Sequence, residues 1–85
     1  MRLGLSPHVS MTETEHGMVL LDEKTGRYWQ TNATGAAVVR LLAGGATVEE
    51  ATEALAHRYP SAADRVAADV DTLVRSLKET GMVAS

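Results

Sequence analysis

Few residues in this chain have the types or spacing that chemistry requires. The three histidines, His8, His16 and His57, stand far apart, and none falls in a metal-ligand spacing such as His-Glu-x-x-His. His16 sits beside a turn glycine, and His57 lies near the end of a helix, where a cationic imidazole complements the dipole; surface and capping roles account for both. Cysteine is absent, which excludes a thiolate nucleophile, a thiolate metal site and a disulfide framework. Neither a Gly-x-Ser-x-Gly elbow nor a phosphate-cradling Gly-x-x-x-x-Gly-Lys-Ser/Thr loop occurs. Gly44-Gly45 precedes Ala46-Thr47 with no lysine and follows a helix rather than a strand, so it reads as a helix stop. Glu49 and Glu50 fall in a first helical turn, where the dipole favours anions without any catalytic purpose. The expectation is a protein that is not an enzyme and that holds no metal and no cofactor.

What remains is binding. Tyr28 and Trp29 are two of three aromatic residues, adjacent on an extended segment, so strand alternation sends them to opposite faces. Two readings are open. One ring packs in the core while the other covers exposed sheet; or the strand lies at a sheet edge, where its unpaired backbone accepts a partner strand and the aromatics shape side-chain pockets. A helix further on raises the same choice. Val66, Val70, Leu73 and Leu77 fall in a narrow arc at 100° per residue, widened by Ala63, Ala67 and Val74. That face is either all core or partly the wall of a groove, with Asp69, Arg75 or Lys78 at its lips.

The elements that position these residues follow from periodicity. His8 to Thr14 alternates, with Val9 and Met11 on one face; Glu15-His16-Gly17 turns; Met18 to Asp22 is an apolar run suited to a central strand. Glu23 to Gly26 is a polar loop, and Arg27-Tyr28-Trp29-Gln30-Thr31 supplies a third strand. From Asn32 the period becomes helical. Asn32 caps a first helix with an apolar stripe of Ala37, Val38, Leu41 and Leu42. Thr47-Val48-Glu49-Glu50 matches a capping box and opens a second helix that buries Val48, Ala51, Leu55 and Tyr59 and ends at Pro60. Ser61-Ala62-Ala63-Asp64 reads as the cap of the third helix, which Gly81 closes with Met82-Val83 folding back. The expected fold is α+β: a three-stranded antiparallel sheet followed by three helices, in a winged helix-turn-helix arrangement.

Composition sets the remaining bounds. At 85 residues, with 45% hydrophobic and 22% charged side chains, residues 1–85 make one ordinary globular domain. The longest apolar stretches, such as residues 17–21, fall well short of the roughly twenty residues a spanning helix takes. The segment from Met1 to Pro7 has no apolar core of a signal peptide, and a small secreted domain usually carries disulfides, so a cytoplasmic location away from membranes is expected. The net charge of −3 comes from the second half. Its basic residues are Arg58, Arg65, Arg75 and Lys78, against Glu49, Glu50, Glu53, Asp64, Asp69, Asp71 and Glu79.

In order and spacing, the aromatic strand, Asn32-Ala33-Thr34-Gly35, the run Gly44 to Glu50, Tyr59, Asp69-Val70, Leu73-Val74, Leu77 and Gly81-Met82-Val83 resemble the small PqqD-like proteins. These are also called RiPP recognition elements, and the likeness is greatest to the stand-alone B1 proteins of lasso peptide biosynthesis. It covers roughly residues 8–83; Thr31 departs from it, standing where the family commonly places leucine. The resemblance implies a peptide-binding adaptor for the leader of a ribosomally made precursor, with the leader adding a strand antiparallel to the third strand. It assigns binding to Arg27, Tyr28, Trp29, Gln30 and Thr31 on the strand and to Val66, Asp69, Val70, Leu73, Val74 and Leu77 on the third helix. In the lasso group the leader offers a tyrosine and a proline, and the adaptor presents it to a separate B2-type leader peptidase, with the cyclase as a further partner.

The principal rival is a winged-helix DNA-binding regulator, because fold does not fix function. A recognition helix brings several cations to phosphates and base edges. Residues 61–80 carry Arg65, Arg75 and Lys78 against Asp64, Asp69, Asp71 and Glu79, so nucleic acid is not the expected partner. A third reading is a scaffold subunit whose faces only join a larger complex.

Overall fold

A computed structural model describes residues 3–84; Met1 and Arg2, where the reading of the amino-terminal segment begins, and Ser85 lie outside the described residues. Two hairpins build the sheet. Strand β2 (Val9–Thr14) turns through Glu15 and His16 into β3 (Gly17–Asp22), pairing Val9 with Asp22 and Thr14 with Gly17. A polar loop then leads to β4 (Tyr28–Asn32), which pairs Leu21 with Tyr28 and Gly17 with Asn32. Asp22 holds this loop: its Oδ1 accepts from the backbone N–H groups of Lys24 (2.9 Å) and Thr25 (3.2 Å). Partial desolvation would raise the pKa of this carboxyl, but those donors and nearby His8 outweigh it and hold the group below its usual value. The bonds are therefore complete at neutral pH and are lost only as pH falls through that lowered value.

Residues directly opposite one another share a face. Met18, Leu20, Trp29 and Thr31 thus point to one side of the sheet, and Leu21, Tyr28, Val19 and Gln30 to the other. Helix α1 (Ala33–Ala43) packs over β3 and β4 and buries Met18 and Leu20 completely. Val9 and Met11 share the covered side, as alternation predicts, yet Met11 stays exposed because α1 does not extend over β2. An ion pair between Arg40 of α1 and Glu13 joins the helix to that outer strand.

Asn32 is both the last residue of β4 and the cap of α1, its Oδ1 accepting from Gly35 N–H at 2.9 Å. The buried stripe of α1 is Gly35, Ala36, Val38, Val39 and Leu42; the expected phase through Ala37 and Leu41 is displaced, with Ala37 half-buried and Leu41 exposed. The displacement follows from the close approach of Gly35 to β4, where a Cβ would stand 1.9 Å from Thr31 Oγ1. Helix α2 (Val48–Arg58) opens with the expected capping box: Glu50 N–H donates to Thr47 Oγ1 (3.0 Å), and Thr47 N–H to Glu50 Oε1 (2.8 Å). Ala51 and Leu55 are buried. Tyr59, expected on the same face, lies beyond the last helical residue at φ −127°, ψ 69° and is exposed, because Pro60 forces the residue before it out of the helical region.

Ser61 is not a cap. It sits inside a single 3₁₀ turn, Pro60–Ala62, that proline initiates, and helix α3 (Ala63–Glu79) follows with no side-chain cap. Val66, Val70, Val74 and Leu77 of α3 are buried and Leu73 is half-buried, whereas Ala63 and Ala67 are exposed. Beyond α3 the chain returns as β5 (Val83–Ala84), antiparallel to β1 (Gly4–Leu5), a pairing that periodicity does not suggest. Ser6 ties the two ends, its Oγ donating to Gly81 C=O (2.8 Å) and its N–H to Met82 C=O (3.0 Å). Leu3, Met82 and Val83 close the core there.

Two glycines let α1 and the first hairpin meet β4. A Cβ on Gly17 would lie 2.0 Å from Thr31 C=O and 2.7 Å from the Asn32 carbonyl carbon, all backbone; on Gly35 it would meet the Thr31 side chain. Gly17→Ala is therefore expected to cost more than Gly35→Ala, about 3 kcal/mol or failure to fold against about 1–2 kcal/mol, on the usual scale of overpacking. Urea titrations of the two variants measure this, and equal losses would contradict the close approach at Gly17.

Candidate peptide-binding groove

The sheet order is β2-β3-β4, so β4 is an edge strand bonded on one side only among the described residues. In an antiparallel ladder, bonded and unbonded pairs alternate. Asp22 N–H donates to Arg27 C=O at 2.8 Å, which places the following bonded pairs at Leu20–Trp29 and Met18–Thr31. The N–H and C=O groups of Tyr28 and Gln30 then face away from the sheet, presenting main-chain donors and acceptors spaced for another strand.

A cleft of about 520 Å³ opens where β4 ends. One wall is Thr31 and Asn32 of β4 with Thr34, Gly35 and Val38 at the start of α1; the other is Val66, Asp69, Val70 and Leu73 of α3. Leu55, Tyr59 and Ala62 close the end where α2 turns into α3. This volume is that of a pocket for several side chains. Its surface is mixed: Val38, Leu55, Val66, Val70 and Leu73 are apolar, while Asn32, the hydroxyls of Thr31, Thr34 and Tyr59, and one carboxylate, Asp69, make a comparable share polar.

Trp29 sets the limit of the cleft. Its ring lies on the covered side of β4, half-buried, and its Nε1–H donates to Ser76 Oγ of α3 at 3.1 Å. Strand and helix are thus bridged one turn beyond Leu73, and the cleft lies on the other side of that bridge. Tyr28, on the opposite face, is 67% exposed, so the two rings divide as one core-facing and one solvent-facing side chain.

Of the residues expected to bind, the structure gathers Thr31, Val66, Asp69, Val70 and Leu73 around the cleft. Tyr28 and Gln30 lie on the exposed face of the edge strand, Trp29 backs it, and Arg27 immediately precedes it. Val74 and Leu77 are buried and do not line the cleft; they pack behind the α3 wall because the helix turns them toward the core past the Trp29–Ser76 bridge. Sequence reasoning missed Asn32, Thr34, Gly35, Val38, Leu55, Tyr59 and Ala62 as lining residues. The available signal was Asn32: a residue that ends a strand and caps a helix must set that helix's first turn beside the strand end.

Among the described residues, no group of three His, Asp or Glu side chains could hold a metal ion. Among the same residues, no helix is long and apolar enough to cross a membrane.

Comparison with known proteins places this geometry. The family model described as coenzyme PQQ synthesis protein D (PqqD) matches residues 17–83. A solved structure of a lasso peptide synthetase B1 complexed with the leader peptide is similar over 100% of both chains, with 36% identity and a TM-score of 0.87. TbiB1 in complex with the TbiA(beta) leader peptide is similar over 96% of this chain and 95% of that one, with 26% identity and a TM-score of 0.86. No curated protein sequence matches.

The Trp29–Ser76 bridge predicts that Ser76→Ala, which leaves a half-buried indole N–H without its acceptor, lowers stability by about 1 kcal/mol. A urea midpoint unchanged from the parent would contradict the bridge.

Proposed function

The chain belongs to the PqqD family, and from that premise we propose that it binds the leader segment of a ribosomally synthesised precursor peptide, which adds as a strand antiparallel to β4. The observation that carries this reading is the free flank of β4 lying beside a cleft whose far wall is α3. Main-chain groups of Tyr28 and Gln30 hold the peptide, and because strand side chains alternate, every second one enters the cleft against Thr31, Val66, Val70 and Leu73. Arg27 and Asp69 supply polar contacts at the two ends. Trp29, Val74 and Leu77 keep strand and helix at the separation the peptide needs.

The whole chain, residues 1–85, acts as one non-catalytic adaptor that presents the leader to separate enzymes. In the lasso setting suggested by the two similar complexes, these are a B2-type leader peptidase and the cyclase. Charge on α3 argues against the nucleic-acid alternative: Arg75 is already paired with Asp71 at 3.0 Å, and Asp64, Asp69 and Glu79 outnumber Arg65 and Lys78.

Two outcomes test the proposal. Titrating a lasso leader peptide, such as the one held in the similar B1 complex, shifts the emission of Trp29, the one tryptophan. An emission that does not move at saturating peptide would favour a scaffold role. Gln30→Pro removes one outward N–H at an edge position where proline is tolerated, so the fold is kept while leader affinity falls at least about tenfold, or roughly 1.4 kcal/mol. Unchanged affinity in that variant would overturn strand addition.

A further inference from the structure

The cleft carries one formal charge. Asp69 is the only ionisable carboxylate or cation among its lining residues, and it projects from α3 between Val66, one turn before, and Leu73, one turn after. It is exposed, and among the described residues it makes no ion pair, not even with Arg65 four residues earlier on the same helix. Among the described residues nothing neutralises it. The other polar side chains of the cleft, Thr31, Asn32, Thr34 and Tyr59, are uncharged at neutral pH and satisfy a hydrogen bond without balancing a charge.

Resting on the leader-binding reading, we infer that Asp69 makes the groove select a peptide with a lysine or arginine next to the apolar side chains it buries. The chemistry suits a long basic side chain better than any other. Its methylene stem lies along Val66 and Leu73 while its head reaches the carboxylate at the rim. A glutamate in the same place would meet a like charge, on a chain whose net charge is already −3. The contact is solvated, so each pairing has only the small weight of an exposed ion pair. Attraction for lysine and repulsion for glutamate together give about a fivefold difference in affinity between the two.

The experiment is a scan of the same leader, each residue replaced in turn by Lys and by Glu, with affinities from competition against the labelled parent peptide at low salt. One position is expected to favour Lys over Glu by about fivefold in the parent protein. That ratio falls to near one in Asp69→Asn and inverts in Asp69→Lys. Glu23→Gln, which alters net charge equally from the loop before β4, leaves it in place. A preference that survives Asp69→Asn, or one that Glu23→Gln removes equally, overturns the inference, as does a scan in which peptides bind with no charge preference anywhere. Failure of every peptide to bind overturns strand addition itself, and this inference with it.

Discussion

Unpaired main-chain N–H and C=O groups must be satisfied by water or by another backbone, and a three-stranded sheet leaves two edges bearing them. The two edges here are unequal. Strand β2 is covered by α1 less than β3 and β4 are: Val9 packs against the core and Glu13 pairs with Arg40, but Met11 is exposed and no residue of β2 lines the cleft. Strand β4 instead runs into the cap of α1 at Asn32 and is bridged to α3 by Trp29 and Ser76. A peptide on the β2 edge would gain backbone bonds and little else. On the β4 edge the same bonds come with a cleft part-lined by Val66, Val70 and Leu73, and burial of apolar area against them adds on the order of 25 cal/mol per Å².

Holding that edge and that cleft together accounts for much of the remaining architecture. Gly17 and Gly35 permit the strand end, the first hairpin and the start of α1 to meet without a Cβ between them. Pro60 ends α2 before Tyr59, so that ring is left at the mouth of the cleft instead of in the core. The pairing of β1 with β5 and the two hydrogen bonds from Ser6 fix the far end of α3, and through it the separation of α3 from β4. In so small a chain each of these is a sizeable share of total stability.

How much of this was legible in the sequence depended on the range of the interaction. Asn32, the Thr47–Glu50 box and the Glu23 to Gly26 loop are governed by neighbours within four residues, and residue type and spacing identify them. Leu41 and Tyr59 were misassigned for a different reason: helix phase is set by what the helix docks against, here the approach of Gly35 to Thr31, and by the bend that proline imposes. Ser61 looked like a cap because serine so often is one, but a 3₁₀ turn begun by Pro60 took its place. The bond from Ser6 to Gly81 spans 75 residues and has no local signature. For the site, the edge strand and the α3 stripe were recognisable, whereas the end of the strand at which the cleft opens was not, since it depends on the bridge from Trp29 to Ser76. The likeness to the PqqD family, carried by the order of many weak motifs, supplied the functional direction that no single residue could.

The most direct measurement is amide hydrogen exchange, residue by residue, with and without bound leader peptide. Strand addition predicts that exchange at the Tyr28 and Gln30 amides slows at least about tenfold in the complex, while the outward amides of Met11 and Glu13 on the opposite edge keep their free rates. A complex in which the Tyr28 and Gln30 amides exchange as in the free protein, or in which protection falls on β2, would contradict it.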